Sequence, residues 1–222
     1  VTARAGGRQD LFFGDPDGVE CQLQDVTDCG GTGALGNVCA EPEPSPTKGL
    51  LALRDISHLT TFTSDGARSN TFYQDLFGLS VRSYQGPPGT APALAIGPTV
   101  QFIMFAGGFG PRGGGARGGA RGGAAPAPRP ASINHACMNM DGFKPDDVLK
   151  TLESAGIKPR ESPQGPVGPM RHYISLRMPN RGGAPEGTPE LYFTDPDGLL
   201  MQLQDTSYCG GAGVPGEGCL KS

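Results

Sequence analysis

At 222 residues the chain has room for one large or two small domains. A net charge of −4 and a pI near 5.3 argue against a nucleic acid or an anionic membrane as its main partner. No apolar run approaches the roughly 18 residues of a membrane-spanning helix, and the 37 glycines and 22 prolines gather in connectors around a β-rich core.

Residues 11 to 25, LFFGDPDGVECQLQD, read as two short strands joined by an Asp-Pro-Asp-Gly turn. Residues 191 to 205, LYFTDPDGLLMQLQD, repeat them at 10 of 15 positions with an offset of 180. The match continues into Cys29-Gly30-Gly31 against Cys209-Gly210-Gly211, and Cys39 against Cys219. Such an offset implies a repeating unit of that length. Residues 1–39 then read as the closing hairpin and Cys loop of a truncated upstream repeat, in a trimmed or cleaved piece of a longer tandem protein. The alternative is a natural start carrying a leftover hairpin. An isolated hairpin is marginal in water, so residues 1–39 need an upstream repeat, a neighbouring chain or the second unit to pack on.

Cys29 with Cys39, and Cys209 with Cys219, each bracket a Gly-rich loop too wide for a CxxC redox or zinc motif. Two local disulfides, and hence an extracellular or periplasmic protein, are expected; the other reading is four reduced thiols in a cytosolic one. Cys21 and Cys137 lie in strand-like runs and read as small buried hydrophobes.

Residues 40–49, AEPEPSPTKG, form a Pro-rich linker. A first module follows over 50–106. Leu50 to Thr63 is β-rich and alternates around His58 in its later half. Ser64 and Asp65 are candidate caps for a helix through Ser69 to Phe77, with Phe72, Leu76 and Phe77 on one face and Gly78 at its end. Strands are expected at Leu79–Tyr84, Ala93–Ile96 and Thr99–Phe105. Residues 107–130, rich in Gly, Arg and Pro, hold four arginines but only one aromatic, and read as a solvated inter-module loop rather than an RNA-binding tract.

The order then recurs over 131–207. Ile133 to Met140 is a strand carrying His135, and Lys144 to Ala155 a helix with Val148, Leu149 and Leu152 inward. A short edge at Ile157–Arg160 and a strand at His172–Met178 precede the closing hairpin. Residues 208–222 are the Cys-bracketed, Gly-rich tail. The fold class is therefore α+β, two tandem β-α-β-β-β modules preceded by the tail hairpin of an upstream repeat.

Two such modules, with the carriers ISHLTTFTSD, FYQDLFGL, INHACMNM, DDVLKTLESAGIKP and YFTDPDGLLMQLQ, resemble the vicinal oxygen chelate superfamily, which includes glyoxalase I, bleomycin-resistance proteins and extradiol dioxygenases. The resemblance covers residues 53 to 206. It implies an open eight-stranded barrel-like sheet, and a divalent metal (Fe, Mn, Zn or Ni) chelated by two vicinal oxygens of a small-molecule substrate. Carried over by position, the first strands supply His58 and His135, and the last strands Gln101 and Gln202. The family's last-strand ligand is usually glutamate; glutamine here costs one negative charge and leaves a neutral oxygen donor. The expected metal set is His58, His135 and Gln202, with His172 as the catalytic acid/base.

The leading expectation is a secreted metal-dependent enzyme, extradiol-dioxygenase-like or glyoxalase-like. The alternatives are a metal-free small-molecule-binding protein, which the glutamines favour, and a structural or assembly role for tandem units. Neither nucleic acid nor membrane is expected as a partner.

Overall fold

The computed structural model describes residues 2–3, 9–25, 44–86, 89–97, 100–107, 130–181 and 183–206. Cys29, Cys39, Cys209 and Cys219, with most of the Gly/Arg tract at 107–130, lie outside the described residues. The chain divides into two units, Val1–Leu50 and Leu51–Ser222.

In the first unit β1 (Thr2–Ala3), β2 (Gln9–Gly14) and β3 (Glu20–Leu23) form a three-stranded sheet in that order. The turn between β2 and β3 is tied by the Asp15 carboxylate, which accepts from the backbone N–H groups of Asp17 and Val19, both at 2.9 Å. Gly18 supplies the φ of 80° that closes it.

The second unit is an α+β structure built on a nine-stranded mixed sheet. Its elements run β4 (Asp55–Phe62), α1 (Gly66–Phe77), β5 (Val81–Tyr84), β6 (Pro92–Ala95), β7 (Phe102–Ala106), β8 (Ser132–Met140), α2 (Pro145–Ser154), β9 (Lys158–Pro159), β10 (Arg171–Arg177), β11 (Thr188–Thr194) and β12 (Leu200–Asp205). The spatial order is β5-β6-β7-β4-β8-β12-β11-β10-β9. Nine strands stand where eight were expected, because β9 adds a two-residue parallel pairing beyond β10. The antiparallel β4–β8 pair lies mid-sheet, and each of these strands has the last strand of its own half, β7 or β12, as its parallel outer neighbour.

Local chemistry sets the helix ends. Asp65 caps α1 by accepting from Ala67 N at 3.0 Å and Arg68 N at 3.1 Å, and Gly78 ends it at φ 65°. The inward face of α1 is Ser69, Asn70 and Tyr73, not the expected Phe72, Leu76 and Phe77. Tyr73 stacks on Phe105 of β7 at 4.5 Å, and that contact sets the helix rotation, leaving Leu76 and Phe77 exposed. The short polar side chains of Ser69 and Asn70 suit this approach because they return hydrogen bonds to the Asp65 and Gly66 carbonyls.

Helix α2 starts at Pro145, with Asp146 and Asp147 in its first turn, where acidic side chains complement the helix dipole. Val148 and Leu152 pack with Met140, Ile157, Leu191 and Leu203 into the main apolar cluster, and Leu149 packs against its edge. The closing hairpin uses the same turn as the first: Asp195 accepts from Asp197 N and Leu199 N, and Gly198 takes φ 84°. Under α2, Leu191 is 0% exposed, whereas its counterpart Leu11 in the first unit is 45% exposed.

Candidate functional site

Strand alternation sorts the sheet into a face under the helices and an opposite face that is unusually polar for its burial. Ser57, His58, Thr60, His135, Asn139, Arg177, Glu190, Gln202 and Gln204 are all buried. Buried polar groups are costly unless paired, so their convergence demands a partner account.

Register makes the convergence. One row of facing residues crosses four strands: Gln202 on β12, Cys137 on β8, His58 on β4 and Phe102 on β7. His135 lies two residues before Cys137 and opposite Thr60, making it a diagonal neighbour of His58. The two imidazoles meet with His58 Nε2 3.3 Å from His135 Nε2, in an edge-to-face arrangement with centroids 5.4 Å apart. His58 is also stacked on Phe102 at 4.3 Å, and His135 stands edge-on to Tyr192 at 5.3 Å.

The other ring nitrogens are engaged. His135 Nδ1 bonds Asn134 Oδ1 at 2.7 Å. An amide oxygen only accepts, so the His135 proton sits on Nδ1 and Nε2 presents a lone pair. His58 Nδ1 bonds Ser57 Oγ at 3.1 Å. A hydroxyl serves as donor or acceptor, so His58 can carry its proton on either nitrogen. With the proton on Nε2 it bonds His135; with the proton on Nδ1, both Nε2 lone pairs face one point.

An amide relay supports this pair. Gln202 Nε2 donates to Gln204 Oε1 at 3.2 Å, and Gln204 Nε2 donates to Ser57 Oγ at 2.9 Å and Asn139 Oδ1 at 3.1 Å. Asn139 Nδ2 in turn donates to Asp55 Oδ1 at 2.7 Å. With its Nε2 committed, Gln202 turns its Oε1 towards the histidines. That oxygen favours the protonated form of both imidazoles yet makes no hydrogen bond of proper geometry, and Gln202 is 0% exposed.

Burial holds both imidazoles neutral. The His58 pKa is lowered well below the usual range by desolvation, then by His135 and by the Arg177 cation. The His135 pKa is lowered to about 4, chiefly by desolvation, with Gln202 opposing and Arg177 assisting. Arg177 is bound by Glu190: its Nε donates to Glu190 Oε1 at 2.8 Å and its second guanidinium nitrogen contacts the same oxygen, with both side chains buried. Burial, then the Glu190 charge, pushes the Tyr192 phenol upward and keeps it a donor. Burial likewise keeps the Cys137 thiol protonated.

Three of the four expected site residues, His58, His135 and Gln202, therefore share one cluster. His172 does not join them. On β10 it alternates with Tyr173, which stacks on Tyr192 at 4.9 Å, so His172 points to the helix side and bonds Glu153 of α2 at 3.2 Å. The acid/base role expected for it is corrected accordingly. Gln101 also stays away: it precedes β7 and donates to the Ile56 carbonyl at 3.0 Å. The register position matching Gln202 in the first half is Met104, since Thr60 faces Met104 as Cys137 faces Gln202. Among the described residues no group of three or more His, Cys, Asp or Glu side chains is arranged to hold a metal; the third donor here is an amide. Sequence reasoning missed the Arg177–Glu190 pair and the Gln204–Ser57 link. The polar positions of β10, β11 and β12 on one face were the available signal.

A family model described as Glyoxalase/Bleomycin resistance protein/Dioxygenase superfamily matches residues 55–203. No curated protein sequence matches the chain. Among solved structures, it is similar to methylmalonyl-CoA epimerase from Mycobacterium tuberculosis (12% identity, TM-score 0.45, covering 72% of this chain and 93% of that one). It is also similar to the Mn(II)-bound glyoxalase from Novosphingobium aromaticivorans, at 17% identity and TM-score 0.47, over 91% of this chain and 51% of that one. An extradiol ring-cleaving dioxygenase from B. fuscum matches at 17% identity and TM-score 0.40, over 73% of this chain and 37% of that one.

Proposed function

Because the chain belongs to the Glyoxalase/Bleomycin resistance protein/Dioxygenase superfamily, we propose that it is a metal-dependent enzyme acting on a small oxygen-rich substrate, with His58, His135 and Gln202 as the metal-holding set. The observation that carries this is the orphaned Gln202 Oε1, buried without a hydrogen-bond partner beside two imidazoles whose Nε2 atoms meet at 3.3 Å. A buried acceptor without a donor is expensive, and a cation satisfies it. Two imidazoles with one neutral oxygen suit a borderline ion such as zinc, nickel or iron better than a hard one.

A metal held by His58, His135 and Gln202 would supply Lewis-acid polarisation to substrate oxygens. The chain's own residues do the rest. Ser57 Oγ accepts a hydrogen bond from His58 Nδ1–H in the tautomer that leaves Nε2 free, and Asn134 Oδ1 accepts from His135 Nδ1–H in the same sense. Tyr192, kept protonated and set against His135, donates to a substrate oxygen in place of His172. The reaction is a ring-cleaving oxidation or a glyoxalase-like isomerisation, between which the metal's identity chooses. The two halves around the β4–β8 pair are read as tandem modules of one fold, supported by their mirrored strand orders.

Elemental analysis of protein purified without chelators tests the assignment. About one metal ion per chain is expected, lost in the His58→Ala, His135→Ala double variant; unchanged metal content in that variant sinks it. A second reading, small-molecule binding without metal, is favoured by the absence of an anionic donor in the cluster. Persistent lack of metal after reconstitution would select it. Export is proposed on the paired cysteine loops: thiol titration in denaturant without reductant should count two thiols among the six cysteines.

A further inference from the structure

The sheet face that holds the histidines carries a second feature that the metal set does not use. From His135 a row of rings runs outward: Tyr192 edge-on at 5.3 Å, Tyr173 stacked on Tyr192 at 4.9 Å with planes 9° apart, and the Arg160 guanidinium 4.8 Å from the outer face of Tyr173. Three steps of about 5 Å thus connect an imidazole pair to a cation. Beside Arg160 and Tyr173 lies a cavity of about 420 Å³, whose lining also includes Ser175 and Pro163.

Arg160 is not neutralised there. Its guanidinium donates to the Gly165 carbonyl at 3.1 Å, while its Nε is buried and has no partner among the described residues. The adjacent carboxylate, Glu161, is taken by Arg171 instead. The backbone holds Arg160 in place: β9 pairs with β10, and Arg160 N donates to the His172 carbonyl at 2.9 Å, setting the side chain over Tyr173. A guanidinium laid on an aromatic face and anchored through one nitrogen keeps its remaining donors in a planar fork, which matches a carboxylate.

We propose that Arg160, with the Ser175 hydroxyl, binds a carboxylate of the substrate, and that the Tyr173–Tyr192 stack guides its body towards His58 and His135. The substrate class is then an elongated carboxylic acid, long enough to span the three steps, bearing its reactive oxygens at the opposite end. This rests on the histidine cluster being the reactive centre proposed above.

The test titrates benzoate, and benzamide as its uncharged analogue, into protein labelled with carbon-13 in its tyrosine rings, with Tyr173→Phe identifying the Tyr173 signals. Benzoate is expected to shift Tyr173 saturably, with benzamide about tenfold weaker, a difference of about 1.4 kcal/mol. Arg160→Gln should reduce benzoate binding to the benzamide level while leaving metal content unchanged. Equal binding of the two probes to the native protein, or undiminished benzoate binding in Arg160→Gln, would overturn the proposal. If that variant fails to fold, the comparison of benzoate with benzamide on the native protein decides alone. A metal-free protein that still prefers benzoate retires the metal reading and keeps the carboxylate site. A metal-loaded protein without that preference does the reverse.

Discussion

Gln204 and Ser57 are joined by a 2.9 Å hydrogen bond across 147 positions of sequence, and through it the closing strand of the chain holds the hydroxyl that meets a histidine ring in the opposite half. Ser57→Ala removes this acceptor and the His58 Nδ1 partner together. The Gln204 amide keeps Asn139 and loses its bond to Ser57, which should cost about 1–3 kcal/mol of stability, and metal affinity should fall about 10- to 100-fold. Denaturant melts and calorimetric titration with zinc check the two effects; full metal affinity in the variant would show that Ser57 does not orient His58.

Gln202→Glu should change sign with loading. Without metal it buries a carboxylate in a fully enclosed position, lowering the melting temperature. With metal it supplies the missing anion, raising affinity about tenfold or more. Thermal melts of both forms, with and without zinc, test this; a variant destabilised in both states would place Gln202 outside the metal set.

The Arg177–Glu190 pair should behave as a buried ion pair whose halves depend on one another. Arg177→Met or Glu190→Leu alone should cost about 3–5 kcal/mol, with the double variant that combines them milder than either. A double-mutant cycle by urea unfolding measures the coupling. Additive losses would mean that the two side chains act separately.

Stability should fall below neutral pH through His135. Its folded pKa of about 4 lies under the unfolded value of 6.5, so the unfolded chain binds more protons between them. Its contribution is therefore complete above pH 6.5 and declines as pH falls to about 4, by roughly 3 kcal/mol in all. Urea unfolding at several pH values, with His135→Asn as the comparison, should show a shallower decline in the variant. Identical slopes would remove His135 as the cause.

His172→Gln should leave metal content unchanged, because its imidazole lies on the helix side, bonded to Glu153 of α2. Glu153 is half exposed, and the lost contact should cost under about 1 kcal/mol. Loss of metal in this variant would contradict the placement of His172 on the helix side.

The sequence disclosed the histidine pair because His58 and His135 sit at matching places in two β-α-β-β-β runs, and register then made them diagonal neighbours. It also disclosed Gln202 and the turn role of Asp195, both written into the hairpin repeat. It misplaced His172, because a strand's two faces are distinguished only by its neighbours, and a one-residue step moves a side chain through the sheet. Gln101 failed for the same reason: position along the chain does not give register, and Met104 holds the matching place. Nor does helical periodicity reveal that Tyr73, rather than Phe72, Leu76 and Phe77, would find an aromatic partner on β7. The Arg177–Glu190 pair joins residues 13 apart on two strands, a pairing that appears only once the sheet is assembled.

His58 and His135 belong to different halves of the sheet, and the antiparallel β4–β8 pair is the seam where the halves meet. Anything gripped by both imidazoles acts as a clasp across that seam. Its binding free energy is then withheld from any state in which the halves separate, and loaded protein should resist parting by RT ln(1 + [L]/Kd). An occupied site would thus act as a mechanical fastener, with the grip on a ligand and the cohesion of the sheet drawn from the same two side chains.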